Sequence, residues 1–160
     1  MQKKDFGVEI YISDERKELL DTGGAIFFAQ EFLKTGDNFL VHNVDIISNI
    51  NLNKMLETHI QQENIATLAV RNRDTKRKLC FDEKMQLLGR ESNDSSSHHC
   101  NSFAFSGIQF ISTKIFDLTD KSGKFSLIDL YLALAPKNKI IGYSHDTDYW
   151  KDMGKFEDFL

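Results

Sequence analysis

The sequence predicts an α/β domain, a mixed sheet flanked by helices. Short apolar runs at Phe39–Val44, Ile65–Val70 and Lys139–Tyr143 read as strands. Apolar residues at helical spacing read as amphipathic helices: Ala25, Phe28, Ala29 and Phe32; Leu52, Met55, Leu56 and Ile60; Leu127, Leu130, Tyr131 and Leu134. The unit running from Phe39 to Val70 covers about thirty residues, the size of a parallel strand–helix–strand crossover. Ligands of such units gather at the carboxyl ends of the strands.

The remaining elements follow in order. Val8–Ile12 alternates at period two and is expected to be a strand. Asp21-Thr22-Gly23-Gly24 precedes the first helix, which should start just after the two glycines. Asn51 is placed to cap the second helix. Lys78–Asp82 and Gln86–Gly89 form a hairpin around Asp82-Glu83-Lys84. Ser92–Asn101 is polar and low in complexity and is expected to be a mobile loop. Phe103–Ile111 is a strand. Ser126 with Asp129 fits a capping box, and Pro136 helps stop the helix that follows. Trp150, Asp152 and Gly154 lead into a short C-terminal helix carrying Phe156, Phe159 and Leu160.

A chain of 160 residues is expected to be a single domain, 1–160. Its net charge of -4 argues against a nucleic-acid partner, which requires clustered cations. It does not exclude a nucleotide, whose phosphates a metal ion can offset. No cation cluster suited to a triphosphate stands out. Cys80 and Cys100 lie in no CxxC spacing; one Cys80–Cys100 bridge stays open, with reduced thiols the expectation. The N-terminus has no apolar signal core, and no apolar stretch approaches the ~18 residues of a membrane span. The expected location is the cytoplasm, with no membrane partner.

Asp45 closes the run Phe39-Leu40-Val41-His42-Asn43-Val44-Asp45 and would project into the crevice at a strand end, where it could hold Mg²⁺. The alternative is a turn aspartate bonded to its own backbone. Asp152, in Tyr149-Trp150-Lys151-Asp152-Met153-Gly154, is either a turn residue or a second metal carboxylate; it gains weight only by meeting Asp45 in space. Gly23 and Gly24 at a helix start suit an anion or simple loop-to-helix geometry. Asp21-Thr22-Gly23 is also the aspartic-protease tripeptide, with Ile140-Ile141-Gly142 a faint echo of that family's later element. Such proteins are nearly all β, so this is a remote alternative. His98, His99 and Cys100 resemble metal ligands by composition only. The phosphate motifs GxGxxG and GxxxxGK[ST] are absent.

The ordered blocks Leu19–Ala25, Phe39–Ile46, Ala66–Val70, Phe105–Ile108 and Tyr149–Lys155, with Asp14-Glu15 before them, resemble the sugar-1-phosphate nucleotidyltransferases. The likeness is to the mannose-1-phosphate guanylyltransferase and N-acetylmuramate-1-phosphate uridylyltransferase branch, over roughly residues 8–160. It implies a Rossmann-like, glycosyltransferase-A-like fold and transfer of a nucleotidyl group from an NTP to a sugar-1-phosphate, with release of pyrophosphate. It implies Asp45 and Asp152 as catalytic Mg²⁺ ligands. Thr22, Gly23 and Gly24 would lie against the nucleotide, and Gly107 would lie against the sugar.

The family's N-terminal glycine-rich phosphate segment has no match here. The chain therefore reads as the C-terminal two-thirds of the family fold, with weak or absent activity alone and a homodimer covering the bared surface. The alternative is a non-catalytic nucleotide-binding, sugar-binding or assembly module of the same fold.

Overall fold

A computed structural model describes residues 7–91 and 100–154. In chain order they form α1 (Asp21–Phe28), α2 (Gln30–Leu33), β1 (Asn38–His42), β2 (Ile46–Ser48), α3 (Leu52–Gln61), β3 (Ala66–Arg71), β4 (Lys78–Phe81), β5 (Leu87–Arg90), β6 (Asn101–Ser112), a 3-10 turn (Thr113–Asp117), α4 (Leu127–Leu134), β7 (Ile140–Ser144) and β8 (Trp150–Asp152). The expected short helix at 156–160 and most of the Ser92–Asn101 loop lie outside the described residues.

Strand β6 organises the main sheet. One of its edges pairs antiparallel with β4 over Asn101–Ala104 and with β1 over Ile108–Ser112; its other edge pairs with β3. β5 extends the sheet beyond β4, and β7 lies parallel to β3. The expected strand–helix–strand unit is present, with α3 between β1 and β3, but its two strands are not neighbours. β1 and β3 run in the same direction, but β6 sits between them and bonds to both. The true parallel neighbour of β3 is β7, about seventy residues later.

The apolar side chains of β3, β4, β6 and β7 bury one face against α4, through Leu68, Phe81, Ile111, Leu130 and Tyr131. A smaller cluster of Ile46, Ile50, Met55, Ala69, Ile108 and Phe110 packs on α3. Both of these helices have the expected caps. Asn51 Oδ1 accepts from the Lys54 N–H at 3.0 Å, and Ser126 Oγ accepts from the Asp129 N–H at 3.4 Å. Each satisfies a donor that a helix start leaves open.

Two further expectations are corrected. Val8–Ile12 is not a strand: Val8, Ile10, Tyr11 and Ile12 are all exposed, and no described strand runs beside them to complete a ladder. Local alternation proposes a strand, but only a neighbour makes one. Cys80 and Cys100 are not free thiols but form a disulfide. The pairing of β4 with β6 sets Cys80 opposite Ser102, two residues from Cys100, and brings their Cα atoms to 5.5 Å, within bridging range. Among the described residues no helix is long and apolar enough to cross a membrane.

Candidate active site

The site begins in the turn after β1. The Asn43 N–H donates to the Gly107 carbonyl at 2.9 Å, and the Ile46 N–H closes the turn onto the Asn43 carbonyl at 3.1 Å. Asp45 is carried out to solvent on that turn. β2 then pairs antiparallel with β8, placing Ile46 opposite Asp152. The Met153 N–H donates to the Asp45 carbonyl at 2.7 Å. A methyl group built on Gly154 would lie 2.7 Å from Asp45 Oδ2 and 3.2 Å from Asp152 Oδ1. The two carboxylates therefore converge on one point, though more than a hundred residues separate them in sequence. Neither has a cationic partner among the described residues. No third His, Cys, Asp or Glu among those residues joins them.

Gly107 positions this turn. Its φ is +79°, and a Cβ there would meet Ile46 Cγ1 at 2.9 Å and Asn43 Nδ2 at 3.1 Å. The residue thus gives β6 close approach to the Asp45 turn. Gly107→Ala is expected to cost roughly 2 kcal/mol, from the left-handed backbone and the crowding together. An unchanged thermal midpoint would contradict this.

Thr22, Gly23 and Gly24 lie elsewhere in the contact network. Helix α1 begins at Asp21, so both glycines are inside its first turn and buried, not ahead of it. Their N–H groups donate to the Phe125 carbonyl at 2.9 and 3.2 Å, and Thr22 Oγ1 accepts from the Leu127 N–H at 3.0 Å. A Cβ on Gly23 would strike the Phe125 ring, and one on Gly24 the Gly123 carbonyl. The motif fastens α1 to the start of α4, and its donors are occupied there. Asp21 opens α1 with its Oδ1 accepting from the Thr22 N–H at 2.6 Å. The aspartic-protease alternative, which needs an all-β frame, has no counterpart in this mixed fold.

Sequence reading missed a second set of residues around Trp150. The indole N–H donates to the Ser106 carbonyl at 2.8 Å, and the guanidinium carbons of Arg71 and Arg73 lie 5.6 and 4.8 Å from the ring centre. His145 Nε2 and Ser106 Oγ are hydrogen-bonded at 2.7 Å behind this cluster. Burial, reinforced by Arg71, lowers the His145 pKa. A cleft of about 680 Å³ opens beside Asp152, lined by Arg73, Thr75, Arg77, Arg90 and Phe105 among others. The available signal was the run Arg71-Asn72-Arg73-Asp74-Thr75-Lys76-Arg77-Lys78, with five cations in eight residues.

The mixed sheet flanked by helices makes this an α/β protein, and the carboxylate pair lies beside the small β2–β8 ribbon. The family model for nucleotidyl transferases matches residues 1–81, and the chain belongs to that family. No curated relative matches the chain by sequence. Among solved structures, HddC from Yersinia pseudotuberculosis complexed with GMP-PN aligns at 22% identity and TM-score 0.66, over 89% of this chain and 60% of that one. UDP-glucose pyrophosphorylase from Acinetobacter baumannii aligns at 15% identity and TM-score 0.70, over 89% and 55%. The inositol-1-phosphate CTP transferase from T. maritima aligns at 13% and 0.68, over 87% and 58%. These likenesses establish a shared fold, and this chain spans about three fifths or less of each of them.

Proposed function

We propose that this chain carries the metal-binding and acceptor-binding part of a nucleotidyl transfer site, joining an NTP to a sugar-1-phosphate with loss of pyrophosphate. The observation that supports it is the convergence of Asp45 and Asp152 through the pairing of β2 with β8. Two carboxylates without a cation or a third protein ligand suit Mg²⁺, which commonly uses one or two carboxylates and completes its shell with water and substrate phosphates. They do not suit zinc, which favours a closed set of nitrogen and sulfur ligands. When bound, the ion would neutralise phosphate charge. The residues' own work is to hold Asp45 and Asp152 in place: Gly107 through the Asn43 turn, and Trp150 through the Ser106 carbonyl.

In this reading the Gly23 and Gly24 N–H groups meet a nucleotide only after releasing the Phe125 carbonyl, with Thr22 beside them, and activity of this chain alone is weak or absent. A pyrophosphate-release assay with Mg²⁺, the four common NTPs and a panel of sugar-1-phosphates tests both parts. Robust turnover would overturn the claim of weak activity. Absence of turnover together with no nucleotide-dependent or Mg²⁺-dependent thermal stabilisation would overturn the site itself. Stabilisation without turnover is the outcome expected here; it also fits the non-catalytic binding module.

A further inference from the structure

We propose that His145 is a positioning residue for the carboxylate pair: in its neutral form it pins the β7–β8 connection to β6, and its protonation releases β8 and with it Asp152. As a device acting on a metal site, it rests on the reading above; as a pH-dependent latch on β8, it does not.

The latch is built on an irregularity in β6. Leu68 is opposite Gln109 and Val70 is opposite Phe105, so Ser106, Gly107 and Ile108 stand against Ala69 alone. A bulge of this kind re-aims groups that a regular ladder would use. The Gly107 carbonyl accepts from the Asn43 N–H, at the root of the Asp45 turn. The Ser106 carbonyl accepts from the Trp150 indole, inside β8, and the Ser106 hydroxyl meets His145 Nε2 at 2.7 Å. Both arms of the carboxylate pair are thus fixed to two adjacent residues. His145 secures the connection that leads into β8. Its N–H donates to the Val70 carbonyl at 3.1 Å, and its carbonyl accepts from the Asp148 N–H at 3.0 Å.

The pin works in one protonation state. His145 is 2% exposed. Among the described residues its ring is hydrogen-bonded to Ser106 alone, and Nδ1 is buried without a partner. Protonation would add a second N–H donor and a charge in that same enclosed place. Arg71 of β3 opposes the added charge, whereas Asp146 and Asp148 of the ring's own connection favour it; β6 contributes the uncharged Ser106. Asp146 is already engaged by the Asn72 N–H at 2.6 Å and the Ser144 hydroxyl at 3.2 Å. Burial and Arg71 prevail, and they hold the imidazole pKa below its ordinary 6.5. The pinned form is therefore fully favoured above that pH and loses ground below it, because the released ring takes up the proton more readily. The ribbon that release must part has three paired positions.

Trp150 is the only tryptophan in the chain and is bonded to the same Ser106, so its emission reports the latch. In EDTA, acidification from about pH 8 to about pH 5 is expected to shift that emission to the red in one step centred below 6.5, with unchanged far-ultraviolet circular dichroism. His145→Gln, whose amide can bond Ser106 without titrating, should emit as the parent does at the alkaline end and lack the step. Ser106→Ala should emit there as the acid form of the parent does, and it decides the matter if His145→Gln fails to fold. Mn²⁺ affinity should fall at least about tenfold across the step in the parent and less than about threefold in His145→Gln. A step without Mn²⁺ binding in any of these proteins would overturn the metal reading and support the latch. A step that persists in His145→Gln, or that coincides with loss of circular dichroism, would overturn the latch. So would a parent that shows no step, or parent-like alkaline emission from Ser106→Ala.

Discussion

Asp45→Asn is expected to weaken divalent-cation binding by more than about 100-fold while leaving the metal-free protein no less stable than the parent. The two halves of this expectation have one cause. Asp45 and Asp152 converge on the same point beside Gly154, with no cationic side chain among the described residues to separate them. Like charges held together oppose folding, so replacing one carboxylate by an amide of the same shape removes a repulsion. The same change removes a ligand from a two-carboxylate set. Disturbing even the supporting groups of a metal site commonly costs 10–100-fold, and losing a direct ligand costs more. Mn²⁺ titration followed by its paramagnetic signal, beside thermal melts in EDTA, reads both quantities. Equal Mn²⁺ affinity, or a metal-free variant that melts well below the parent, would assign Asp45 to a structural turn. Asp152→Asn differs usefully: Asp152 Oδ1 also accepts from the Gly154 N–H at 2.9 Å, so some destabilisation should accompany its loss of metal.

The second large effect concerns acid. His59, on α3, is only 1% exposed. Its ring lies between Thr67 Oγ1 and Asn38 Oδ1, each at 2.9 Å, a pattern that a neutral imidazole satisfies with one acceptor and one donor. Burial lowers its pKa from 6.5 to about 4. As pH falls below 6.5 the unfolded chain takes up the proton first, so folding stability is lost between pH 6.5 and about 4; above 6.5 this group contributes no pH dependence. The expected loss between about pH 7 and pH 4.5 is roughly 2.5 kcal/mol from this residue alone. Urea unfolding of the parent and of His59→Gln at both pH values isolates it. The variant should start less stable and fall less. Equal falls would show that other groups carry the acid sensitivity.

What the sequence made legible was local or chemically distinctive. Asn51 and Ser126 announce helix starts because a short polar side chain before an apolar stripe has a definite job there. The hairpin around Asp82–Lys84 is legible for a similar reason: its turn chemistry is contiguous. Asp45 and Asp152 stood out as acidic residues beside apolar or aromatic segments, but their meeting depends on pairing between β2 and β8, which no local pattern specifies. The insertion of β6 between β1 and β3 is equally non-local. A thirty-residue connection can step over one strand as easily as reach the next.

Thr22-Gly23-Gly24 illustrates a different limit. Two glycines signal that something comes close, and here that is the Phe125 segment of the same chain. The Arg71–Lys78 run was visible as charge, but only the fold turns part of it onto Trp150.

The carboxylate pair hangs on the smaller of the two sheets among the described residues. β2 and β8 share three paired positions, supplemented by bonds between the Asn49 and Tyr149 turns and by one indole anchor. The core strand β3 is held along both edges and buried over most of its length. Backbone amides of Ile46–Ser48 and Trp150–Asp152 should accordingly exchange with deuterium through brief local openings, long before those of Ala66–Val70. In such an opening Asp45 and Asp152 part company while the rest of the domain stays folded. A ligand bridging them would slow exchange in these two short segments first, marking its position without any measurement of turnover.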